Sequence, residues 1–354
     1  MKNEISYDCR MEHDMKTKSN CIFMAFLLGV LITGCSQEPI ITPTQISTLV
    51  PSMLTNTPTF TAEPKDTDTQ TPTPEIQNFE GRLAIAGLSR QHSEVRLFNL
   101  RNGEIQDIPG LGFGSVSWSP DYQRIAFVGG VTQSSHSTAI YVSKPDGSDL
   151  KKYGESNLRK ANLSWAPDGK FLVFSYDNRI ESANLAILNL TSGEMYLITN
   201  TPRYESHPAW SPDGKKIAYL YPRQGGLSQE LWIMNADGSN PKPVTDFPIA
   251  STGIDWSPDG NWLAIISDGI NHFHNCGDVY IIRPDGSELT RLTDLSGCAT
   301  DVTWSPDGKH LALVIRDIPD EMQCQIYIMD TTGKNLVAVG EKEELRIEDI
   351  DWGL

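Results

Sequence analysis

Apolar positions in the C-terminal three quarters of the chain come in short bursts separated by polar turns. No stretch sustains a 3.6-residue period. Residues Gly253-Ile254-Asp255-Trp256 alternate in character, as a half-buried strand does. Ser257-Pro258-Asp259-Gly260 is turn chemistry: proline presets φ and glycine tolerates φ > 0. Trp262 to Ile266 is a continuous apolar run, the mark of a strand covered on both faces. A polar loop from Ser267 to Gly277 leads to a third strand, Val279 to Ile282. After the Pro284-Asp285-Gly286-Ser287 turn, Leu289 to Leu292 supplies a fourth. Dense β-branched residues and frequent Gly and Pro exclude a helical reading.

The same sentence is written again along the chain. W-S-P-D-Y begins at Trp118, W-A-P-D-G at Trp165, and W-S-P-D-G at Trp210, Trp256 and Trp304, with Trp352 ending a sixth copy of the first strand. The steps run from 45 to 48 residues. A period in the forties with several strands per unit predicts an all-β fold, a β-propeller of four-stranded antiparallel blades. The third strands are placed at Ala139–Val142, Leu185–Leu188, Leu231–Met234 and Gln325–Met329, each followed by a hairpin turn such as Pro145-Asp146-Gly147 or Ala236-Asp237-Gly238. The tryptophans are read as blade core, each worth roughly 2–3 kcal/mol on burial. Tyr122 stands where the other turns carry glycine. A left-handed non-glycine costs about 1–2 kcal/mol, so a different turn shape is expected there.

The two ends of the repeat region complement each other. Gly81 to Ala86, Val95 to Leu100 and Glu104 to Ile108 read as strands two, three and four with no first strand before them. Ile347 to Trp352 reads as a first strand with no second strand after it. Joined, they complete a sixth blade, and pairing of N- and C-terminal strands closes the ring and removes free sheet edges. The W-S-P-D-G-K segments, the apolar run after them and the following hairpins resemble the TolB-type propeller, a WD-like repeat of bacterial envelope proteins. The resemblance covers residues 80 to 354 and implies six blades. That family also carries an N-terminal α/β domain active in its envelope partnership. Nothing of that kind is written before residue 80, so the family's particular partners are not carried over.

Upstream, the composition changes twice. Residues Cys21 to Gly34 are uncharged and mostly apolar, follow Lys16 and Lys18, and end in Leu31-Ile32-Thr33-Gly34-Cys35. A run this short suits a secretory signal better than a spanning helix, which needs about 20 residues. Its end resembles a bacterial lipobox, which implies that Cys35 becomes the lipidated first residue. Residues 1–35 are thus expected to be a lipoprotein signal, translation starting at Met1, Met11 or Met15. Residues 36–78 are rich in Thr and Pro, as in Thr71-Pro72-Thr73-Pro74, and read as a disordered tether. The propeller is expected from 79 to 354. The expected location is extracytoplasmic, on the lipid-anchored face of a bacterial membrane. With 29 basic and 45 acidic residues the net charge is −16, which disfavours nucleic acid as a partner.

Three cysteines fall in the propeller, and export makes pairing plausible. Cys276 and Cys298 flank a hairpin and are expected to form a disulfide, with Cys324 as a competitor. His272, His274 and Cys276 would project to one side if extended, but a polar loop explains them without a metal, and no metal or cofactor is expected. His136, His207, His272 and His274, with Asp255, Asp301 and Asp349, define the candidate binding face, where loops between strands two and three meet loops between blades. Asp351 joins these carboxylates near the channel. No G-x-S-x-G elbow is present, the glycines at 110, 112 and 114 have no helix after them, and Ser257-x-Asp259-Gly260 is explained by the turn. The expected function is a non-catalytic, monomeric binding propeller for an envelope or extracellular protein, or a glycan. The alternative is a glycan- or peptide-cleaving enzyme using the channel carboxylates and histidines.

Overall fold

The computed structural model describes residues 79–88, 93–108, 112–130, 138–156, 158–177, 182–223, 228–247, 249, 253–267, 277–295, 298–317, 320–343 and 346–354. These lie in one compact unit, Thr69–Leu354. The expected signal with Cys35 and the whole 36–78 segment lie outside the described residues, as do His136, His272, His274 and Cys276.

Six four-stranded antiparallel sheets form the ring. We number them as blades I to VI by their tryptophans. The first strands are Gly112–Trp118, Arg159–Trp165, Ser206–Trp210, Ile254–Trp256, Cys298–Trp304 and Arg346–Gly353. Neighbouring first strands touch in succession, and the strand of blade VI also touches that of blade I, so these six surround the axis. Each blade then runs outward through its second and third strands to a short or exposed fourth, such as Ile105–Asp107 or Thr290–Arg291. Blade VI is stitched from both ends of the repeat region: Arg82–Leu88 pairs with Arg346–Gly353, with Leu83 opposite Trp352 and Ile85 opposite Ile350. Strands Ser93–Asn99 and Ile105–Asp107 complete it.

The alternation of the sequence becomes layers of core. Second strands are buried along their length, as in Ile125–Gly130 and Leu263–Ser267, because each lies inside its own blade and between two others. The tryptophan at the end of each first strand packs between sheets. Five of them are no more than 7% exposed, while Trp210 is half-buried beside Phe171 and Trp232. Three indoles also bond to main-chain carbonyls, which lie in the preceding blade for Trp165 and Trp256 and within blade VI for Trp352. Trp165 Nε1 donates to the Ser117 carbonyl (3.1 Å), Trp256 Nε1 to Ala209 (3.0 Å) and Trp352 Nε1 to Glu80 (3.1 Å).

The Ser-Pro-Asp segment is a self-contained turn. Asp213 Oδ1 accepts the Lys215 N–H (3.0 Å), and Ser211 Oγ accepts the N–H of Lys216 (2.9 Å), where the second strand starts. Ser119/Asp121, Ser257/Asp259 and Ser305/Asp307 repeat this. These turn carboxyls are held below the usual range. At Asp259 the Ser257 hydroxyl is the main cause. At Asp307 burial pushes up, but Ser305 and Lys309 win and hold it at about 2.

At Tyr122 the turn has the same shape as its glycine counterparts, not a different one. Its φ is 55°, against 67°, 73°, 71° and 69° at Gly169, Gly214, Gly260 and Gly308. The Tyr122 N–H donates to the Ser119 carbonyl at 2.8 Å, as Gly169 does to Ala166 at 2.9 Å. The turn bonds impose the conformation, and the half-buried ring packs onto the core around Trp118, which offsets the strain.

Candidate functional site

Two tiers of side chains line the axis, and both follow from the repeat. One tier lies one residue before each tryptophan: Ser117, Ser164, Ala209, Asp255, Thr303 and Asp351. The other lies three residues before: Ser115, Asn162, His207, Gly253, Asp301 and Asp349. Register shifts interrupt the first strands at this point in blades I, II, III, V and VI. Such bulges re-aim a strand's side chains, and Asn162 and His207 sit at φ of 53° and 50° there.

Most of these residues act as latches between blades. Asp255 Oδ2 accepts the Trp304 N–H (2.8 Å) and the Thr303 hydroxyl (3.0 Å) of blade V. Asp301 Oδ2 accepts the Ile350 N–H of blade VI (2.7 Å), while its Oδ1 accepts the Val302 N–H (2.9 Å). Asp349 Oδ2 accepts the Val116 N–H (2.9 Å), and Asp351 Oδ2 accepts the Trp118 N–H (2.7 Å) and the Ser117 hydroxyl (3.1 Å), all in blade I. Where the side chain is neutral the same geometry recurs. Ser115 Oγ accepts the Leu163 N–H (2.8 Å) and Ser164 Oγ that of Trp210 (2.9 Å). Gly253 makes room for this arrangement, since a Cβ there would stand 2.5 Å from Asp301 Oδ1.

Electrostatics separate these aspartates from those of the turns. Burial, then the charge of Asp351, pushes Asp255 up to about 7. Burial pushes Asp351 to about 6, against the pull of the Trp118 N–H and Ser117. Burial also raises Asp349 to about 7 and holds Asp301 well above the usual range, where the neighbouring Asp349 charge adds to it. Two carboxyls this close cannot both ionise cheaply.

The remaining sequence-predicted residues fall differently. Asp255, Asp301 and Asp349 come together on blades IV to VI. His207 is not in an exposed loop: it lies within a first strand, its Nδ1 buried without a partner among the described residues, and burial pushes its pKa down to about 4. Such an imidazole is neutral near pH 7. Cys298 is disulfide-bonded, and Cys324 is buried and free rather than competing for it. Cys324 sits in the apolar core beside Ile326 and Ile347. Among the described residues no group of three or more His, Cys, Asp or Glu is placed to hold a metal ion.

Two buried charges escaped the sequence reading. Glu205, 1% exposed, receives the Thr199 and Thr201 hydroxyls, and burial raises its pKa. Lys160, also 1% exposed, donates from Nζ to the Thr138 carbonyl (2.9 Å) and Ser156 Oγ (2.8 Å), tying blade II to blade I; burial lowers it to about 8. Glu205 stands just before its first strand and Lys160 near the start of one, each among other polar residues, so the sequence pattern did not mark them as buried.

No family model matches the chain. A stretch of 151 residues is 30% identical to the uncharacterized peptidase YuxL of Bacillus subtilis, covering 41% of this chain and 22% of that protein. The chain thus spans about a fifth of that relative's length. The crystal structure of TolB from Acinetobacter baumannii superposes with a TM-score of 0.62 at 19% identity, over 78% of this chain and 67% of that one. Oligogalacturonate lyase from Vibrio parahaemolyticus gives 0.51 at 17% identity, over 74% and 75%. Six blades, the last stitched from both ends of the repeat region, and this superposition make the fold a TolB-like six-bladed propeller.

Proposed function

We propose that the protein is a non-catalytic binding propeller, lipid-anchored through Cys35, carried on the 36–78 segment and displayed outside the cytoplasm to a protein partner at the envelope. The observation that carries this reading is the use of the axial carboxylates. Asp255, Asp301, Asp349 and Asp351 all accept main-chain N–H groups from a neighbouring first strand. Groups committed to closing a ring serve a rigid display scaffold. The TolB-like fold and the net charge of −16 add to it, favouring a partner with a basic surface.

The test is crosslinking in intact cells with the full chain, using photoreactive residues at the loops between strands two and three. Discrete partner bands that vanish without illumination support the reading. A Cys35→Ala chain should leave the membrane fraction, and one that stays there removes the anchor.

A second reading has its own support. Carboxyls near pH 7, such as Asp255 and Asp349, suit general acid–base work, and the similar proteins include a named peptidase and a named lyase. Under this reading the chain cleaves a peptide or an acidic glycan. Activity on peptide and glycan panels that disappears in Asp255→Asn would replace the binding-only reading.

A further inference from the structure

The repeat builds grooves between adjacent blades at the end of the ring where strands one and two turn. Those between blades III and IV and between IV and V enclose 380 and 520 Å³. Asp213 and Asp259 line the first, with Lys216 as its only cation, and the Lys216 ammonium donates to Asn235. Asp259 and Asp307 line the second, and no lysine or arginine does. The groove between blades I and II is larger, 750 Å³, and its charge is inverted. Arg124, Lys144, Lys151 and Lys170 line it against Asp149 and Asp168.

The two acids there are already engaged. Asp149 pairs with Lys144 at 2.6 Å, and Asp168 Oδ1 accepts the Lys170 N–H within its turn. The ammonium groups of Lys151 and Lys170 have no ion-pair partner among the described residues. Arg124 is fixed in place: its guanidinium lies over the Trp165 ring at 4.8 Å and Nη2 donates to the Gly169 carbonyl at 3.0 Å. Tyr153 is held by a bond from its hydroxyl to the Leu190 carbonyl (3.3 Å), and both residues line the groove.

On a chain with a net charge of −16, gathering cations in one concave site is not the arrangement self-pairing would produce. A volume of 750 Å³ falls within the roughly 300–1,000 Å³ of small-ligand sites. We infer that the groove between blades I and II binds a small, multiply charged anion, an oligocarboxylate or an oligophosphate, with Lys151 and Lys170 as the capturing charges and Arg124 as a preorganised donor. Lysine and arginine suit this chemistry as point charge and planar fork respectively.

Calorimetric titration of the full chain with citrate and with tripolyphosphate tests it. At least one anion should bind at a single site. The Lys151→Ala/Lys170→Ala variant should bind it about tenfold or more weakly, with an unchanged melting temperature, while Lys151→Arg/Lys170→Arg stays within about threefold. Affinity should fall as ionic strength rises from about 0.05 to about 0.5 M. Preference between the two anions identifies the source of the charge. No heat from either at roughly 10 mM, or equal binding by the alanine variant, overturns the assignment.

Discussion

The two halves of the ring solve one problem with different chemistry. Blades I to III line the axis with Ser115, Ser117, Asn162, Ser164, His207 and Ala209, all neutral near pH 7. Blades IV to VI line it with Asp255, Asp301, Asp349 and Asp351. In both halves a side chain of one blade accepts an N–H of the next, at 2.7 to 2.9 Å. The acidic half contains the seam, where Arg346–Gly353, which follows blade V in the chain, is joined to Arg82–Leu88 by noncovalent bonds alone. Three of the four carboxylates bond across the junctions of blade VI: Asp301 on one side, Asp349 and Asp351 on the other. Asp255, Asp301 and Asp351 each accept two hydrogen bonds, where Ser115 and Ser164 each accept one N–H, and a bond contributes roughly 1 kcal/mol. Asp349 and Asp351 thus tie the seam strand forward to blade I, across the break, while Asp301 ties it back to blade V. We take this as the reason for the asymmetry.

The harshest way to break the comparison is to remove the seam strand. Deleting residues 346–354 takes away buried Ile347, Ile350 and Trp352 together with Asp349 and Asp351. It also exposes the edge of Arg82–Leu88, an invitation to association. The melting temperature should fall by more than about 10 °C, and size-exclusion chromatography should show oligomers. An unchanged, monodisperse fragment would mean that blade VI does not hold the ring shut.

Next comes a matched pair of latches. Asp301→Ala leaves the Ile350 N–H unpartnered in a buried place and should cost about 2–4 kcal/mol. Ser115→Ala removes the equivalent bond to Leu163 and should cost about 1 kcal/mol. Urea denaturation of both variants measures the difference. Equal costs would remove the distinction between the halves.

The acidic half should also carry a pH signature that the neutral half lacks. Asp255 and Asp349 titrate at about 7 and Asp351 at about 6 in the folded chain, above the ordinary carboxyl value, and Asp301 is raised in the same direction. A raised folded pKa means the native state binds more protons. The stability this contributes is complete below about pH 4 and is lost as pH rises through about 6 to 7. The turn aspartates work the other way: with Asp307 at about 2, their contribution is present above about pH 4 and lost as pH falls toward 2. Stability should therefore peak near about pH 4. Asp349→Asn keeps an acceptor for Val116 while removing a titrating group, so it should flatten the decline between about pH 4 and 7. Ser164→Ala should lower the whole curve without changing its slope.

What the sequence could announce follows from this physics. Blade number, the stitched sixth blade and the strand order were legible because tryptophan, turn and apolar run recur in local order. The third strand predicted at Leu185–Leu188 runs from Ala183 to Asn189, and the seam strand predicted at Ile347–Trp352 runs from Arg346 to Gly353. The axial aspartates were legible as a group, but not as latches, because each partner lies in another blade, some 48 residues or more away in sequence. His207 was misplaced for a related reason. A bulge moves it into the strand and turns it toward the axis, and bulges leave little mark on an alternating pattern.

The smallest expected effect concerns the turn that broke the repeat's own rule. Tyr122 adopts φ 55° at a position where glycine is the rule, which costs about 1 kcal/mol. Its half-buried ring packs on the core around Trp118 and near the charges of Asp351 and Asp255, which with burial raise the phenol's pKa. Tyr122→Gly relieves the strain and loses the packing, so the two terms should nearly cancel, leaving a change within about 1 kcal/mol. Thermal denaturation at pH 5 and pH 8 would separate them. The ring lies near two carboxyls that gain charge over that interval, so its removal, by admitting water, should favour the variant more at pH 8 than at pH 5. A cost of several kcal/mol at both values would mean that the ring anchors the acidic half to blade I, and that the junction of blades VI and I depends on packing more than on the Asp349 and Asp351 bonds.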